Sequence, residues 1–469
     1  MKKLLIFAVL VVLVALLPLL GNRVVKNTIE ERLATLSQNG LEAKLQKEQR
    51  SYLKTALHYT ITVDDEEKFL AYLQSYSSKE LPPYTKSLLD GVVFAVDIRY
   101  SNIPFSEKIS IDLYPQKLSD VTMQDLKKNE PDLYAFLSDI LQKRALLYHI
   151  DYDVTSSEFQ GRMKDLNEHF TTKDDTNVSI VLNGVDASGK GMLLAPDSLR
   201  MQIKHIAISM NNDKDVLHFD VEDMLATNSF ESQTTYITSS KVASAKMSLH
   251  TTHTDPQTSK KIVENIEAGV ENLALNGSSD TQGSDAEFFA KISADRLHFA
   301  QNSRSFELDG LNYDSSLSGV EKESFIRLQQ IMEKDAQTRN ASPQLEQELE
   351  GLLVKIFAHG LEFKIADLSL SKLSTPDAHN IDGFKIALQA DLKSDPTFAR
   401  NYQSDPDAFV KNLSVTSDMR FSKPFYAFLN TFYPLDLMFA NYKKEQGDAV
   451  LFHVEFKNGV TLINGKRLQ

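Results

Sequence analysis

The stretch LEFKIADLSLS (residues 361–371) decides how this chain is read, because apolar and polar residues alternate along it with the period of a strand that buries one face. The alternation returns in FKIALQADL (384–392) after a polar break, and the two segments read as a hairpin. Working outward, it recurs in LEAKLQ (41–46), SYLKTALHYTITV (51–63), VVFAVDIRY (92–100), EKISIDLY (107–114), LLYHIDYDV (146–154), NVSIVL (177–182), LRMQIKHIAI (199–208), VLHFDV (216–221), ENLALNG (271–277), FFAKISADRLHFA (288–300) and VLFHVEF (450–456). A period of two sustained this widely predicts a long antiparallel meander. Asn-Gly at 183–184, 276–277, 458–459 and 464–465, and Asp-Gly at 90–91, 309–310 and 382–383, accept the positive φ that tight hairpins require, so all seven read as turns.

Helical patterns interrupt the strands. Residues 64–67, all acidic, open an amphipathic segment through Tyr76; Pro131 begins another through about Arg144; residues 320–336 and 343–359 give two more. A fifth, Lys423 to about Lys444, concentrates Phe421, Phe425, Tyr426, Phe428, Phe432, Tyr433, Phe439 and Tyr442 on or near it, with Pro434 as a break. These aromatics read as helix-on-sheet core, or as the lining of an acyl-chain groove or a membrane-facing surface. The acids at 64–67 read as an N-cap and first turn rather than a metal site. Segments 91–115, 199–221, 270–299 and 361–392 each look like strand, connection, strand, which suggests hairpins laid side by side without a strict repeat. The polar stretches 278–285, 334–344 and 374–380 read as loops, the second as the best boundary within the body.

At the other end stands MKKLLIFAVLVVLVALLPLLGN (1–22). From Leu4 to Leu20 every residue is apolar or Pro18, and that run reaches roughly 25 Å as a helix, close to the hydrocarbon thickness. Leu19 stands where signal cleavage wants a small residue, so the run is expected to stay as an anchor built on Leu4, Leu5, Ile6, Phe7, Leu10, Val11, Val12, Leu13, Leu16, Leu17, Leu19 and Leu20. Lys2 and Lys3 against Arg23, Lys26 and Arg32 leave the charge rule nearly silent on orientation. A three-residue head and a long tail without cysteine favour export of the tail to the periplasm of a diderm bacterium. Beyond the anchor, Val25, Ile29, Leu33 and Leu36 form an amphipathic stripe closed by Asn39-Gly40, a stalk whose apolar face packs on the body or lies on the membrane.

Composition narrows function by exclusion. The 469 residues carry a net charge of −13 and no basic stripe, which argues against nucleic acid as a partner. Without cysteine there is no disulfide, thiolate metal site or cysteine nucleophile, and without Trp the side chain most used for stacking sugars and bases is missing. Gly184 to Gly191 (GVDASGKG) is the nearest approach to a phosphate loop, but Gly191 takes the hydroxyl position and Pro196 follows where a helix should run. Ser51-x-x-Lys54 and Ser369-x-x-Lys372 match a nucleophile spacing without its companion elements. His250 and His253, three apart on a strand, point to opposite faces and lack a third ligand.

The retained anchor followed by a Gly and a stalk, the YLKTALHYTITV strand soon after it, and the ending GDAVLFHVEFKNGVTLINGKRLQ with Asn464-Gly465-Lys466 together resemble the YdgA-like family of bacterial envelope proteins of unknown function. The resemblance implies an inner-membrane-anchored, periplasm-facing protein and transfers no catalytic or binding residue. The expectation is therefore a mainly β protein with helices (α+β): an anchor at 1–22, a juxtamembrane amphipathic helix at 23–40, a β-rich body at 41–335 and a C-terminal β-rich region with the aromatic helix at 336–469. No catalytic, cofactor or metal residue is assigned. The expected role is a non-enzymatic envelope scaffold or interaction protein, with an AsmA-like lipid-binding or lipid-transfer module as the alternative and a hydrolase as the weakest. Expected partners are the inner membrane, and lipid or another envelope protein; the oligomeric state is left open.

Overall fold

A computed structural model describes residues 23–74, 85–104, 106–193, 195–232, 234–254, 261–338, 343–398 and 407–468. The expected anchor, Leu4 to Leu20, lies outside the described residues; among those described, no helix is long and apolar enough to cross a membrane. By its contacts the chain forms two compact units, Met1–Asn212 and Asp213–Gln469.

The first unit opens with helix α1 (Arg23–Gln38). It is followed by β1 (Leu41–Arg50), β2 (Lys54–Val63), helices α2 (Glu66–Gln74) and α3 (Thr85–Leu89), β3 (Val93–Ser101) and β4 (Lys108–Lys117). Helices α4 (Asp120–Asn129) and α5 (Pro131–Gln142) then lead to β5 (Tyr148–Asp153), β6 (Glu158–Met163), β7 (Leu166–Thr171), β8 (Asn177–Asn183), β9 (Asp186–Met192) and β10 (Ala195–Asn211). Strands β1 to β6 pair in chain order, all antiparallel. Beyond them β6 and β7 run end to end against β9 and β8, which in turn lie end to end against β10. Asn183-Gly184 is thus a break inside one long strand and not the hairpin its sequence suggested.

The stalk stripe packs on this sheet. Val25 and Ile29 are 0% and 7% exposed, and with Leu33 and Leu36 they sit against Leu41, Leu57, Ile61, Val96 and Ile98. Burying side chains of this size stabilises by about 1.5–3 kcal/mol each, enough to hold a helix of four turns in place. At its end Gly40 (φ +82°) accepts hydrogen bonds through its carbonyl from the amides of Asp64 and Asp65. The Asp65 carboxylate caps α2 by accepting from the Lys68 amide at 3.0 Å, so the acids at 64–67 form a helix start as read from sequence.

The second unit is a meander of long strands. Strands β11 (Asp215–Phe230), β12 (Tyr236–Thr254), β13 (Lys261–Asp280), β14 (Asp285–Gln301), β15 (Arg304–Glu321), β16 (Leu361–Thr375), β17 (Ala378–Leu392) and β18 (Leu413–Ser422) pair in order. Strand β20 (Ala449–Lys457) pairs with β18, and its other edge is shared by β19 (Lys444–Gln446) and β21 (Val460–Ile463), with β22 (Lys466–Arg467) beyond β21. Helices α6 (Lys322–Thr338) and α7 (Pro343–His359) connect β15 to β16 and are tied by Arg327 to Glu348 at 2.7 Å. The boundary expected at 335/336 falls within α6. Helix α8 (Asp407–Asn412) precedes β18; α9 (Lys423–Phe432) and α10 (Leu435–Phe439) follow it, split at Pro434 as expected.

Strands of 15 to 20 residues are about three times the usual length. They stay in register through a transverse seam. Leu308 and Leu311, Leu370 and Leu373, and Ile381 and Phe384 each lie three residues apart, yet all pack in one cluster. A period of two would put three-apart residues on opposite faces, so each strand carries one extra residue there. The seam continues through Asp223 (φ +48°), Asn272 (φ +50°) and Gly310 (φ +64°), where the ladder pairs are interrupted. Asp309-Gly310 and Asp382-Gly383 lie in this seam and Asn276-Gly277 lies inside β13, which corrects their reading as turns. Asn458-Gly459 and Asn464-Gly465, with both φ values positive, are the hairpin turns expected, and Asp90-Gly91 closes α3.

Candidate functional site: an apolar sheet face

Cross-strand partners share a face, so the register lays out the surface of the second unit row by row. One row runs Phe219, Met247, Ala268, Phe299, Phe306 across β11 to β15. The next runs Val221, Ala245, Val270, Leu297, Leu308, Leu373, Ile381, reaching β17. Beyond the seam another passes from Ala226 and Ser240 through Leu275, Ile292, Tyr313, Leu368, Ile386 and Met419 to Phe452 on β20. The extra residue at the seam keeps these rows on one side, which makes a continuous apolar face where a strict period would have broken it.

Helices cover part of it. Ile356, Phe325 and Leu328 of α6 and α7 pack on Ala286, Phe288, Leu317, Val320 and Leu361. Phe425, Phe428 and Leu429 of α9 pack on Leu308, Leu311, Leu370, Leu373 and Phe384, and Tyr426 sits on Val450 and Phe452. Burial and the neighbouring Asp436, which accepts its hydroxyl at 3.2 Å, push the Tyr426 phenol up to about 12. The rest of the face is open: Met247, Leu275, Ile292, Phe299 and Phe306 are 36–47% exposed. Single exposed apolar side chains are ordinary, whereas aligned neighbours on one face mark a surface that something else covers.

The aromatic helix is both core and surface. Phe421, Phe425 and Phe452 form ring contacts at 6.2–6.3 Å, while Phe432, Tyr433, Leu437 and Met438, around Pro434, are 58–86% exposed. The sequence offered core packing and an exposed apolar surface as alternatives, and the two halves of this segment divide them.

The first unit holds a polar arrangement that sequence reading missed. His58, Asp97, Asp112 and His149 are direct cross-strand neighbours on β2, β3, β4 and β5. His58 and His149 each bond their neighbouring carboxylate at 2.6 Å, Arg99 also pairs with Asp112, and the Tyr114 hydroxyl donates to Asp97 at 3.3 Å. Two facing carboxylates repel; each is hydrogen-bonded to an imidazole, and the Arg99 guanidinium beside Asp112 offsets part of the repulsion. The only trace in the sequence was an acid or His at each outward position of LHY, VDI, IDL and YHI. Among the described residues no cluster of three or more His, Asp or Glu side chains has metal-binding geometry.

The motifs weighed from sequence fall apart in the fold. Gly184 to Gly191 runs through the β8–β9 break and along β9, with Gly189 against Phe159 and no helix after it. Ser51 closes the β1–β2 turn, accepting from the Lys54 amide at 3.1 Å, which corrects its reading as a strand residue; Ser369 and Lys372 lie on β16. His250 bonds Asn265 at 2.5 Å on the facing strand, and the His253 side chain lies outside the described residues.

No curated protein and no solved structure matches the chain. A family model described as a bacterial protein of unknown function (DUF945) matches residues 145–431, a span that runs from β5 to all but the last residue of α9 and so takes in the apolar face up to its aromatic helix. The chain belongs to this bacterial family of unknown function.

Proposed function

We propose that the apolar face of the second unit binds the acyl part of a lipid, and that the protein acts in the bacterial envelope as a lipid-binding module without catalysis of its own. One observation carries this reading: the rows through Met247, Leu275, Ile292, Phe299 and Phe306 stay apolar across the strand seam while remaining partly open to solvent. Leaving Phe299 and Phe306 45% and 47% exposed forgoes roughly half of the about 1.5–3 kcal/mol that full burial gives, and an acyl chain laid on the row recovers much of it. The retained anchor at Leu4 to Leu20 belongs to the same proposal and rests on sequence alone; it holds the body beside the inner membrane, on the periplasmic side, where acyl ligands are abundant. The protein purified in mild detergent is expected to carry acyl lipid in near-stoichiometric amount by mass spectrometry of its organic extract. A lipid-free preparation contradicts the proposal.

A second reading, an interaction or scaffold protein, is favoured by the exposed corner of Phe432, Tyr433, Leu437 and Met438, which suits contact with another surface.

A further inference from the structure

We propose that the exposed row on β11 to β15 takes one particular class of ligand, a single-chain anionic amphiphile of the fatty-acid type, with its head group at Arg304; this rests on the lipid-binding reading above. On this side of the seam the side chains that stand open, Met247, Phe299 and Phe306, fall in a single row, with half-buried Phe219 at its far end, apart from open Leu275 and Ile292 across the seam. The neighbouring row toward the seam is taken: Val221 and Leu373 are buried, and Leu308 lies under α9. One row of side chains accommodates one chain. Five strands at about 4.8 Å spacing give it a run of roughly 19 Å.

Charge sets the direction. Arg304 and Gln301 face each other across the β14–β15 hairpin, two residues from Phe306 and Phe299, and by the period of two they share that face. Both are exposed, and among the described residues Arg304, unlike Arg296, has no carboxylate within ion-pair distance. On the opposite face Arg296, by contrast, is held by Glu307 and Asp309 at 2.6 and 3.0 Å. At the β11 end of the same rim the side chain on this face is a carboxylate instead, Asp215, which accepts from Thr251. An anionic head is therefore drawn to the hairpin while the chain lies toward β11. A guanidinium beside a short amide suits a carboxylate, which it can hold through two parallel N–H donors.

The test uses the full chain with Nile red, an uncharged apolar dye, displaced by oleate, by uncharged oleyl alcohol, or by phosphatidylglycerol. Oleate is expected to bind roughly tenfold more tightly than oleyl alcohol. Arg304→Gln should abolish that preference with oleyl alcohol unchanged, and Arg304→Lys should restore part of it. If both single-chain ligands displace the dye and Arg304→Gln alters neither, the inference fails while lipid binding stands. If phosphatidylglycerol outcompetes oleate, the single-chain assignment is wrong. If no ligand displaces the dye, the lipid-binding reading itself falls. Arg304 is solvent-exposed, so its replacement leaves the fold intact.

Discussion

The two units solve the same problem in opposite ways. Each is an antiparallel sheet with one apolar face, and an apolar face in water must be covered. In the first unit α1 covers it: Val25 and Ile29 are 0% and 7% exposed, beneath a helix that begins right after the N-terminal apolar run. In the second, α6, α7 and α9 cover only part, and Phe299 and Phe306 stay 45% and 47% exposed on side chains as large as any in the core. A chain able to build α1 had the means to close the second face as well. That it stays open over a row of aligned residues argues that the opening is used.

Equivalent truncations in the two units should carry very different costs. Ile29→Ala is expected to cost about 2–4 kcal/mol in denaturant-midpoint measurements, as loss of a buried aliphatic does. Phe299→Ala, despite removing a larger side chain, should cost under about 1 kcal/mol, because much of that surface is already in water. Equal costs would mean that Phe299 is core and the face is closed.

The seam gives a smaller, second contrast. A Cβ on Gly310 (φ +64°) would lie 2.3 Å from the Ser371 hydroxyl, whereas one on Gly465 (φ +78°) meets nothing within 4 Å. Gly310→Ala should therefore cost about 2–3 kcal/mol, backbone strain plus the clash, and Gly465→Ala about 1 kcal/mol, strain alone. Similar losses at both positions would show that the seam tolerates a side chain and does not fix the register.

The β architecture was legible because alternation is a local signal: LEFKIADLSLS, FKIALQADL and VVFAVDIRY each announced a strand, and Pro131 and Pro434 marked where helices start and break. Strand β12 was not legible, since YITSSKVASAKMSLHTTHT puts Ser, Thr and Ala on both faces and its apolar side is defined only by Phe219 and Val221 on one neighbour and Val270 on the other. The mid-strand Asp-Gly pairs misled for a related reason. A dipeptide that permits positive φ does not say whether the chain turns back or continues with an extra residue; partner strands decide that. The open face itself shows in sequence only as a switch of apolar parity, Leu308 then Leu311, which reads as noise until the register is known. The His58 to His149 row was hidden because its four members come from four separate strands.

If the apolar face of the second unit is a binding surface, the protein should take up Nile red. Wild-type protein should bind the dye with a blue-shifted emission. Met247→Glu combined with Phe299→Glu should abolish binding while leaving circular dichroism and the unfolding midpoint nearly unchanged, and Val216→Glu with Val263→Glu, on the opposite face, should not. Dye binding that survives the first pair, or is lost equally with the second, would show that this face is not the binding surface.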